Sequence, residues 1–232
     1  MQLSVGVIGV TGKLGRRICE QAPEMDCTIS LSACSREWVT EAVPDVVIDV
    51  SHDSAFDEVA RFCSATNTPL VEGVSTLSPE HITRLRELSA EIAVIYAPNF
   101  TFGHHLQRSA LMVLAQILKM DSRTWECTVT ERHPTSKRDR PSATARELAA
   151  FWSESAECPV AELASVRGGL PVSDHEAAIT LSGEMLSIKH STTDRVAAAR
   201  GALQAGRWVV LQSSGFYKMS DVYGMVREEA HG

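Results

Sequence analysis

The 232-residue chain contains no apolar run near the roughly 18 residues that a membrane span requires, and its first residues lack a charged-then-apolar leader. No membrane partner and a cytoplasmic location are the expectations. Six cysteines occur, Cys19, Cys27, Cys34, Cys63, Cys127 and Cys158, but no C-x-x-C pair, which excludes a zinc ribbon and a thioredoxin motif. Scattered thiols in a chain of this length fit a reducing compartment better than a disulfide framework. Positive charge is in deficit: the net charge is −7 and the pI near 5.6. A nucleic-acid partner is therefore not expected, and any site for an anion must be local. Repeats, low-complexity tracts and a flexible linker are also absent, so domains should be joined by short hinges. What remains is an ordinary globular composition, 44% hydrophobic, able to fill a sizeable core.

Up to about residue 100, short apolar runs alternate with helical patterns. Val5–Ile8, Thr28–Leu31, Val46–Val50, Leu70–Val71 and Ile92–Tyr96 read as buried strands. Between them, Leu14, Ile18 and Ala22 share a helical face, as do Phe56, Val59 and Phe62, and Ile82, Leu85 and Leu88. Ser78 and Pro79 give the third helix an N-cap and a first-turn proline. Such alternation predicts βαβ units and a Rossmann-type, doubly wound parallel sheet. After residue 100 the texture changes. The pattern predicts a helix over Leu106–Met120, a strand over Cys127–Glu131, a polar loop from Arg132 to Pro141 and a helix from Ser142 to Trp152. Two strand-like runs follow, Ala177–Leu181 and Met185–His190, turned by Ser182-Gly183. This order predicts a second α+β domain with a mixed or antiparallel sheet. Another helix begins near Asp194.

Two segments carry chemistry. The first is Gly9, Gly12 and Gly15 in G-V-T-G-K-L-G, directly after a strand and opening a helix. Bare backbone there lets a pyrophosphate approach a helix N-terminus, whose free N–H groups favour an anion. A ligand-free tight turn is the bland alternative. At the end of the second strand, where an acid usually meets the ribose of NAD, the chain has Ser35 and Arg36. A hydroxyl and a guanidinium suit a 2′-phosphate, so NADPH is favoured, with NADH the alternative. The second segment is E-R-H-P-T-S-K-R-D-R-P-S-A-T-A, from Glu131 to Ala145. His133 can trade a proton near neutrality, and Lys137 can hold a carboxylate or donate a proton. The Ser142–Thr144 backbone at a helix start is a ready anion site. Taken alone, this stretch reads better as a solvated basic loop than as a catalytic one.

The second segment resembles the E-x-H-H-x-x-K-x-D-x-P-S-G-T-A signature of the 4-hydroxy-tetrahydrodipicolinate reductase family. Further similarities follow in the family's order: Asp49-Val50-Ser51, Gly73-Val74-Ser75, Ala97-Pro98-Asn99-Phe100-Thr101, Ser165-Val166-Arg167-Gly168-Gly169, Asp174-His175-Glu176, Gly183-Glu184, His190 and Arg195. The resemblance spans nearly the whole chain. It implies a reduction in lysine biosynthesis through diaminopimelate, with hydride from NAD(P)H passing to a small cyclic dicarboxylate. It implies His133 and Lys137 as the proton-handling pair. It places the pyrophosphate along Gly9, Val10, Thr11, Gly12, Lys13 and Leu14. The nicotinamide end would meet Gly73, Val74 and Ser75 with Ala97, Pro98, Asn99 and Phe100. Substrate would meet Pro134, Ala143 and Thr144. No metal ligand set follows. The implied organisation is a dinucleotide-binding domain, residues 1–100 with 194–232, and a substrate-binding and oligomerisation domain, residues 101–193, in a homotetramer.

The chain departs from the pattern in places. Pro134 replaces the second histidine of the family pair, Ala143 replaces a glycine, His104 replaces an asparagine, and the chain is short. Ala143 would be strained at positive φ and harmless in a helical first turn. Two other functions therefore stay open at this point: reduction of another cyclic imine or unsaturated ring acid, and a catalytically idle dinucleotide-binding homologue. His175 and His190 read first as structural histidines, and the acidic tail R-E-E-A-H-G as a solvated end.

Overall fold

The structure, a computed structural model, describes residues 2–169 and 173–224, so the acidic tail lies outside the described residues. The chain forms two compact units: residues 2–101 with Arg195–Gly224, and Phe102–Asp194. The first unit opens with β1 (Leu3–Ile8), α1 (Lys13–Gln21), β2 (Cys27–Cys34), β3 (Glu37–Thr40) and β4 (Val46–Asp49). It continues through α2 (Phe56–Thr66), β5 (Leu70–Glu72), α3 (Pro79–Leu88) and β6 (Ala93–Tyr96). The second unit holds α4 (Phe102–Lys119), β7 (Glu126–His133), α5 (Ala143–Ala156), β8 (Glu162–Arg167), β9 (Ser173–Leu181) and β10 (Glu184–Thr192). The chain then returns to the first unit with α6 (Val196–Val209), β11 (Gly215–Tyr217) and α7 (Met219–Tyr223).

The first sheet has the order β11-β6-β5-β4-β1-β2-β3 and is parallel except for the antiparallel edge strand β3. Its central strands are apolar on both faces because helices cover both. Val46 and Ile48 face the layer that includes Ile18, Ala202 and Leu203, while Val47 faces the layer that includes Phe56, Val59 and Leu85. Each such fully buried side chain contributes about 1.5–3 kcal/mol of apolar burial. The helix that follows β5 starts as its sequence dictates: Ser78 Oγ accepts from the His81 N–H, with Pro79 at the first helical position. Chain order reverses across the sheet between β1 and β4, and it is outside the carboxyl ends of strands at such a point that α/β sheets bind ligands.

The second sheet is mixed, ordered β10-β9-β7-β8, with β7 and β8 parallel and the other pairs antiparallel. Leu111 and Ala115 of α4 and Leu148 and Trp152 of α5 pack with Cys127, Val129, Ala177 and Ile179 of its strands. The strand-helix-strand path β7-α5-β8 is a crossover unit, so α5 begins beyond the carboxyl end of β7. Three strands, β3, β8 and β11, were not foreseen from the sequence. Two are only three or four residues long, and the third is half-buried without clean alternation. A further difference matters for chemistry. The expected polar loop begins too early, because β7 runs through Arg132 to His133, and His133 is buried.

Candidate active site

In the first unit, the glycine turn joins β1 to α1. Gly9 has φ +90°, and a Cβ there would lie 2.9 Å from Ser51 Cα and Val50 O. A Cβ on Gly15 would come within 2.2 Å of Gly9 O. Both glycines are thus demanded by the protein's own packing. Gly12 is different: a Cβ would meet only Gly9 O, at 3.1 Å, and Thr11, Gly12 and Lys13 are exposed. The room over Gly12 is the cradle that a pyrophosphate needs, and the first turn of α1 carries no acidic residue to oppose it. The residues therefore fit a dinucleotide. Val10 and Leu14 are half-buried on the flanks of the turn. Ser35 and Arg36 form the exposed two-residue tip between β2 and β3, just past the carboxyl end of β2.

The remaining expected cofactor residues gather at the ends of β5 and β6. Gly73 N–H donates to Asp49 O at 2.8 Å, and Ala97 N–H to Glu72 O at 2.9 Å. A Cβ on Gly73 would lie 2.6 Å from the Phe100 ring, so glycine is needed for that ring to lie there. Phe100 and Val74 are buried, so any ligand contact they make is through backbone. Asn99 Oδ1 accepts from both the N–H and the hydroxyl of Thr101, which fixes the Pro98–Thr101 turn. Ser75 is half-buried beyond Val74. Beneath these loops lie two buried carboxyls, Asp49 and Glu72, register partners on adjacent parallel strands. Burial first, then their mutual repulsion, pushes Glu72 well up; burial pushes Asp49 up to about 6 against its hydrogen bonds from Ser51.

In the second unit, strand register assembles a charged cluster inside the core. Cys127, Val129, Glu131 and His133 alternate onto one face of β7. Glu131 is opposite His175 on β9 and Ser165 on β8, and His133 is opposite Arg167 on β8. The Glu131 carboxylate is fully buried and accepts from Ser165 Oγ at 2.7 Å, Arg167 Nη2 at 2.8 Å and the Ser142 N–H at 3.1 Å. Burial acts to raise its pKa, but these three donors outweigh it and hold the group down to about 2. His133 Nε2 stands 3.2 Å from Glu131 Oε2, a contact that becomes an ion pair when the imidazole is protonated. His175 Nε2 lies 3.8 Å from the same oxygen and 3.3 Å from Ser142 Oγ. Burial, then the His133 and His104 imidazoles, push His175 down to about 3, so it is neutral near pH 7. His133 and His175 meet edge to face with ring centres 5.1 Å apart.

Arg167 also reaches the loop that follows β7. Its Nε donates to Lys137 O at 3.2 Å and its Nη2 to Asp139 O. Lys137 N–H donates to Pro134 O, and Lys137 Nζ is 2.9 Å from Asp139 Oδ1. Ser142 caps α5, its Oγ accepting from the Ala145 N–H, and Ala143 and Thr144 open the helix. Ala143 is helical, so the methyl it adds causes no backbone strain. One atom each of Glu131, His133 and His175 lie within 4.8 Å of one another, a spacing that metal ligands also show. Here the Arg167 guanidinium already supplies the counter-charge to that carboxylate, and the cluster is a carboxylate–imidazole network. His133, Lys137, Pro134, Ala143, Thr144 and the Ser142 helix start were legible in the sequence as site candidates, whereas Glu131, Ser165, Arg167 and His175 were not, as parts of one site. The signal that would have found Glu131 is its place on the apolar parity of β7.

Comparison with known proteins bears on the whole chain. Residues 3–100 match the family model described as dihydrodipicolinate reductase, N-terminus, and residues 103–223 match dihydrodipicolinate reductase, C-terminus. The chain is 33% identical over 217 residues to 4-hydroxy-tetrahydrodipicolinate reductase of Thermosipho africanus, covering 94% of this chain and 96% of that one. It is 28% identical over 251 residues to the protein of the same name from Zymomonas mobilis, covering 96% and 98%. Among solved structures it is similar to a dipicolinate-bound dihydrodipicolinate reductase from Paenisporosarcina sp. TG-14. The TM-score is 0.72 at 17% identity, over 94% of this chain and 98% of that one. A DAP dehydrogenase of C. glutamicum shares the fold more distantly, with a TM-score of 0.57 at 13% identity, over 94% of this chain and 93% of that one. With both halves matched and a relative above 30% identity, the chain belongs to the dihydrodipicolinate reductase family.

Proposed function

We propose that the protein reduces 4-hydroxy-tetrahydrodipicolinate to tetrahydrodipicolinate with NAD(P)H, in the diaminopimelate route to lysine. The observation that carries this reading is the convergence on Glu131 of His133 and the Arg167-tethered Lys137 loop, beside the start of α5, in a chain matched by this family from residue 3 to residue 223. Residues 2–101 with 195–224 serve as the dinucleotide-binding unit and residues 102–194 as the substrate-binding unit. NADPH, when bound, supplies the hydride, which passes to ring carbon 4 as water is lost. The chain's own residues hold and move protons. His133 exchanges a proton with the ring or with the departing hydroxyl, and Lys137 donates the second proton. Ala143 and Thr144 receive a substrate carboxylate at the N-terminus of α5, with Pro134 shaping the wall beside it.

Gly9, Val10, Thr11, Gly12, Lys13 and Leu14 hold the pyrophosphate. Gly73, Val74, Ser75, Ala97, Pro98, Asn99 and Phe100 line the nicotinamide end. Ser35 and Arg36 receive a 2′-phosphate, which favours NADPH over NADH. A cytoplasmic homotetramer fits a biosynthetic enzyme of this kind. Both helices of the second unit pack on one face of its sheet, and Met185, 70% exposed, and Val166 lie at positions facing away from that core. A second copy is the partner we assign to that face. Reduction of a different ring acid is the other reading, and it rests on Pro134 alone because Ala143 sits in a helix. A coupled assay tests the proposal: aspartate semialdehyde, pyruvate and a purified synthase generate the substrate while NADPH or NADH absorbance is followed. Oxidation that depends on this protein, faster with NADPH at low concentration, is expected. Tight NADPH binding without oxidation would overturn it in favour of another substrate.

A further inference from the structure

We infer that the buried Glu131–Arg167 pair is the positioning device for the proposed proton-handling pair, setting the titration of His133 and the placement of Lys137 at once. This inference rests on the reading of His133 and Lys137 given above. Neither Glu131 nor Arg167 is required to touch substrate; they act through their neighbours.

The two halves of the device follow from strand register. Glu131 and His133 are two residues apart on β7 and share its inner face. On β8, Ser165 lies beside Glu131 and Arg167 beside His133. A carboxylate 3.2 Å from an imidazole nitrogen favours the imidazolium, and this carboxylate stays ionised because three donors hold it so. Among the described residues, the groups facing His133 include Glu131 on its own strand, Arg167 on β8 and His175 on β9, with His104 of α4 and His190 of β10 grouped behind His175. His175 is neutral, and the same burial pushes His190 down as well, so neither adds a competing positive charge. Two further carboxylates stand behind these, Glu147 facing His104 at 3.7 Å and Asp174 acting on His190, while Glu131 is the carboxylate in contact with His133. Arg167 performs the second task. Its guanidinium lies almost fully out of solvent and divides its donors among Glu131, Lys137 O and Asp139 O. The planar fork of arginine suits this shared use, and a lysine ammonium cannot span the same three acceptors. Glu131 also accepts from the Ser142 N–H, so the start of α5, where the substrate carboxylate would bind, is referenced to the same carboxylate.

The test separates the two tasks. Glu131→Gln keeps size and most acceptor geometry but removes the charge, leaving Arg167 beside His133. The His133 titration, followed by NMR of ring-labelled histidine and assigned by its loss in His133→Gln, should fall by about 1–2 pH units. The matching limb of the kcat–pH profile should move to lower pH by a similar amount, whichever form of His133 reacts. Arg167→Lys retains a cation for Glu131 but cannot tie the loop. It should leave the His133 titration within about 0.3 unit while kcat falls roughly 10- to 100-fold and KM for NADPH stays near wild type. A purely structural role for the pair predicts loss of stability with no movement of either titration. If Glu131→Gln does not fold, Ser165→Ala removes one donor from the same carboxylate and should move the His133 titration upward by a few tenths of a unit. An unmoved His133 titration in a folded variant overturns the inference. Near-normal turnover by His133→Gln, with the titration shift intact, would instead overturn the reading of His133 and leave the coupling standing.

Discussion

Glu72→Gln should stabilise the first unit, and by an amount that grows with pH. Asp49 and Glu72 sit side by side on β4 and β5, fully buried, under Cys63 of α2, whose thiol burial and both carboxyls push upward. Each carboxyl has one oxygen without a hydrogen-bond partner among the described residues, Asp49 Oδ2 and Glu72 Oε2. His52 and Asp53 are the other charges acting on the pair. Both acids are raised in the folded state, so the folded protein binds more protons than the unfolded chain. The stability they contribute is complete below about pH 4 and is lost as pH rises, through about 6 for Asp49 and through the raised titration of Glu72. A rise from 3.8 to about 6 is worth roughly 3 kcal/mol for Asp49 alone. Glutamine keeps the acceptor for the Val74 N–H, now 2.7 Å from Glu72 Oε1, and replaces the other oxygen with a donor beside Asp49. We expect the variant to gain about 2 kcal/mol at pH 8 and close to nothing at pH 4.5. For a unit of this size that is several degrees in the unfolding midpoint. His175 works in the opposite sense, since its lowered pKa removes stability as pH falls below about 6.5, so the difference between variant and wild type must be compared at each pH. Calorimetry or urea unfolding from pH 4.5 to 8 reads it. An equal offset at both ends of the range, or a variant less stable at pH 8, refutes the argument.

Other expectations concern the proposed cofactor and proton sites. Gly12→Val should fold normally and weaken NADPH binding at least 10-fold by calorimetric titration, whereas Gly15→Ala should lower stability by about 1–3 kcal/mol, because its Cβ falls 2.2 Å from Gly9 O. The reverse pattern would make Gly12 a packing residue. Lys137→Ala should reduce turnover about 100-fold or more with NADPH affinity unchanged, and near-normal turnover would remove Lys137 from the mechanism. Arg36→Ala should raise KM for NADPH about 10-fold while sparing NADH, read in parallel initial-rate assays. Equal effects on both would place the 2′-phosphate elsewhere.

The sheet of the first unit was legible because helices on both faces make its strands nearly continuous apolar runs, and β4, Val46–Asp49, is the plainest case. The glycine turn was legible for the same reason: it stands between an apolar strand and an amphipathic helix. Edge strands were not. β3 has one half-buried residue, Trp38, and β8 has no fully buried one, so neither carries a periodic signal. The proposed proton site was half legible. His133 and Lys137 stood out by residue type, but Glu131 and His133 are polar residues on the buried parity of β7, and polarity there mimics a loop. What makes them a site is register with β8 and β9, a long-range relation that a residue pattern does not encode. Arg167 shows this most clearly. Its guanidinium connects positions 30 and 36 residues away, and only the parallel pairing of β7 with β8 brings them together.

Reduction of the lysine-pathway intermediate, with His133 and Lys137 handling protons, is the proposal on which the other expectations depend. The most direct measurement is the synthase-coupled oxidation of NADPH by wild type and by the His133→Gln, Lys137→Ala double variant, with NADPH binding titrated for both. Rapid oxidation by wild type, a loss of at least about 1,000-fold in the double variant, and equal NADPH affinity are expected. Comparable oxidation by the two proteins, or none by a wild type that binds NADPH tightly, would contradict it.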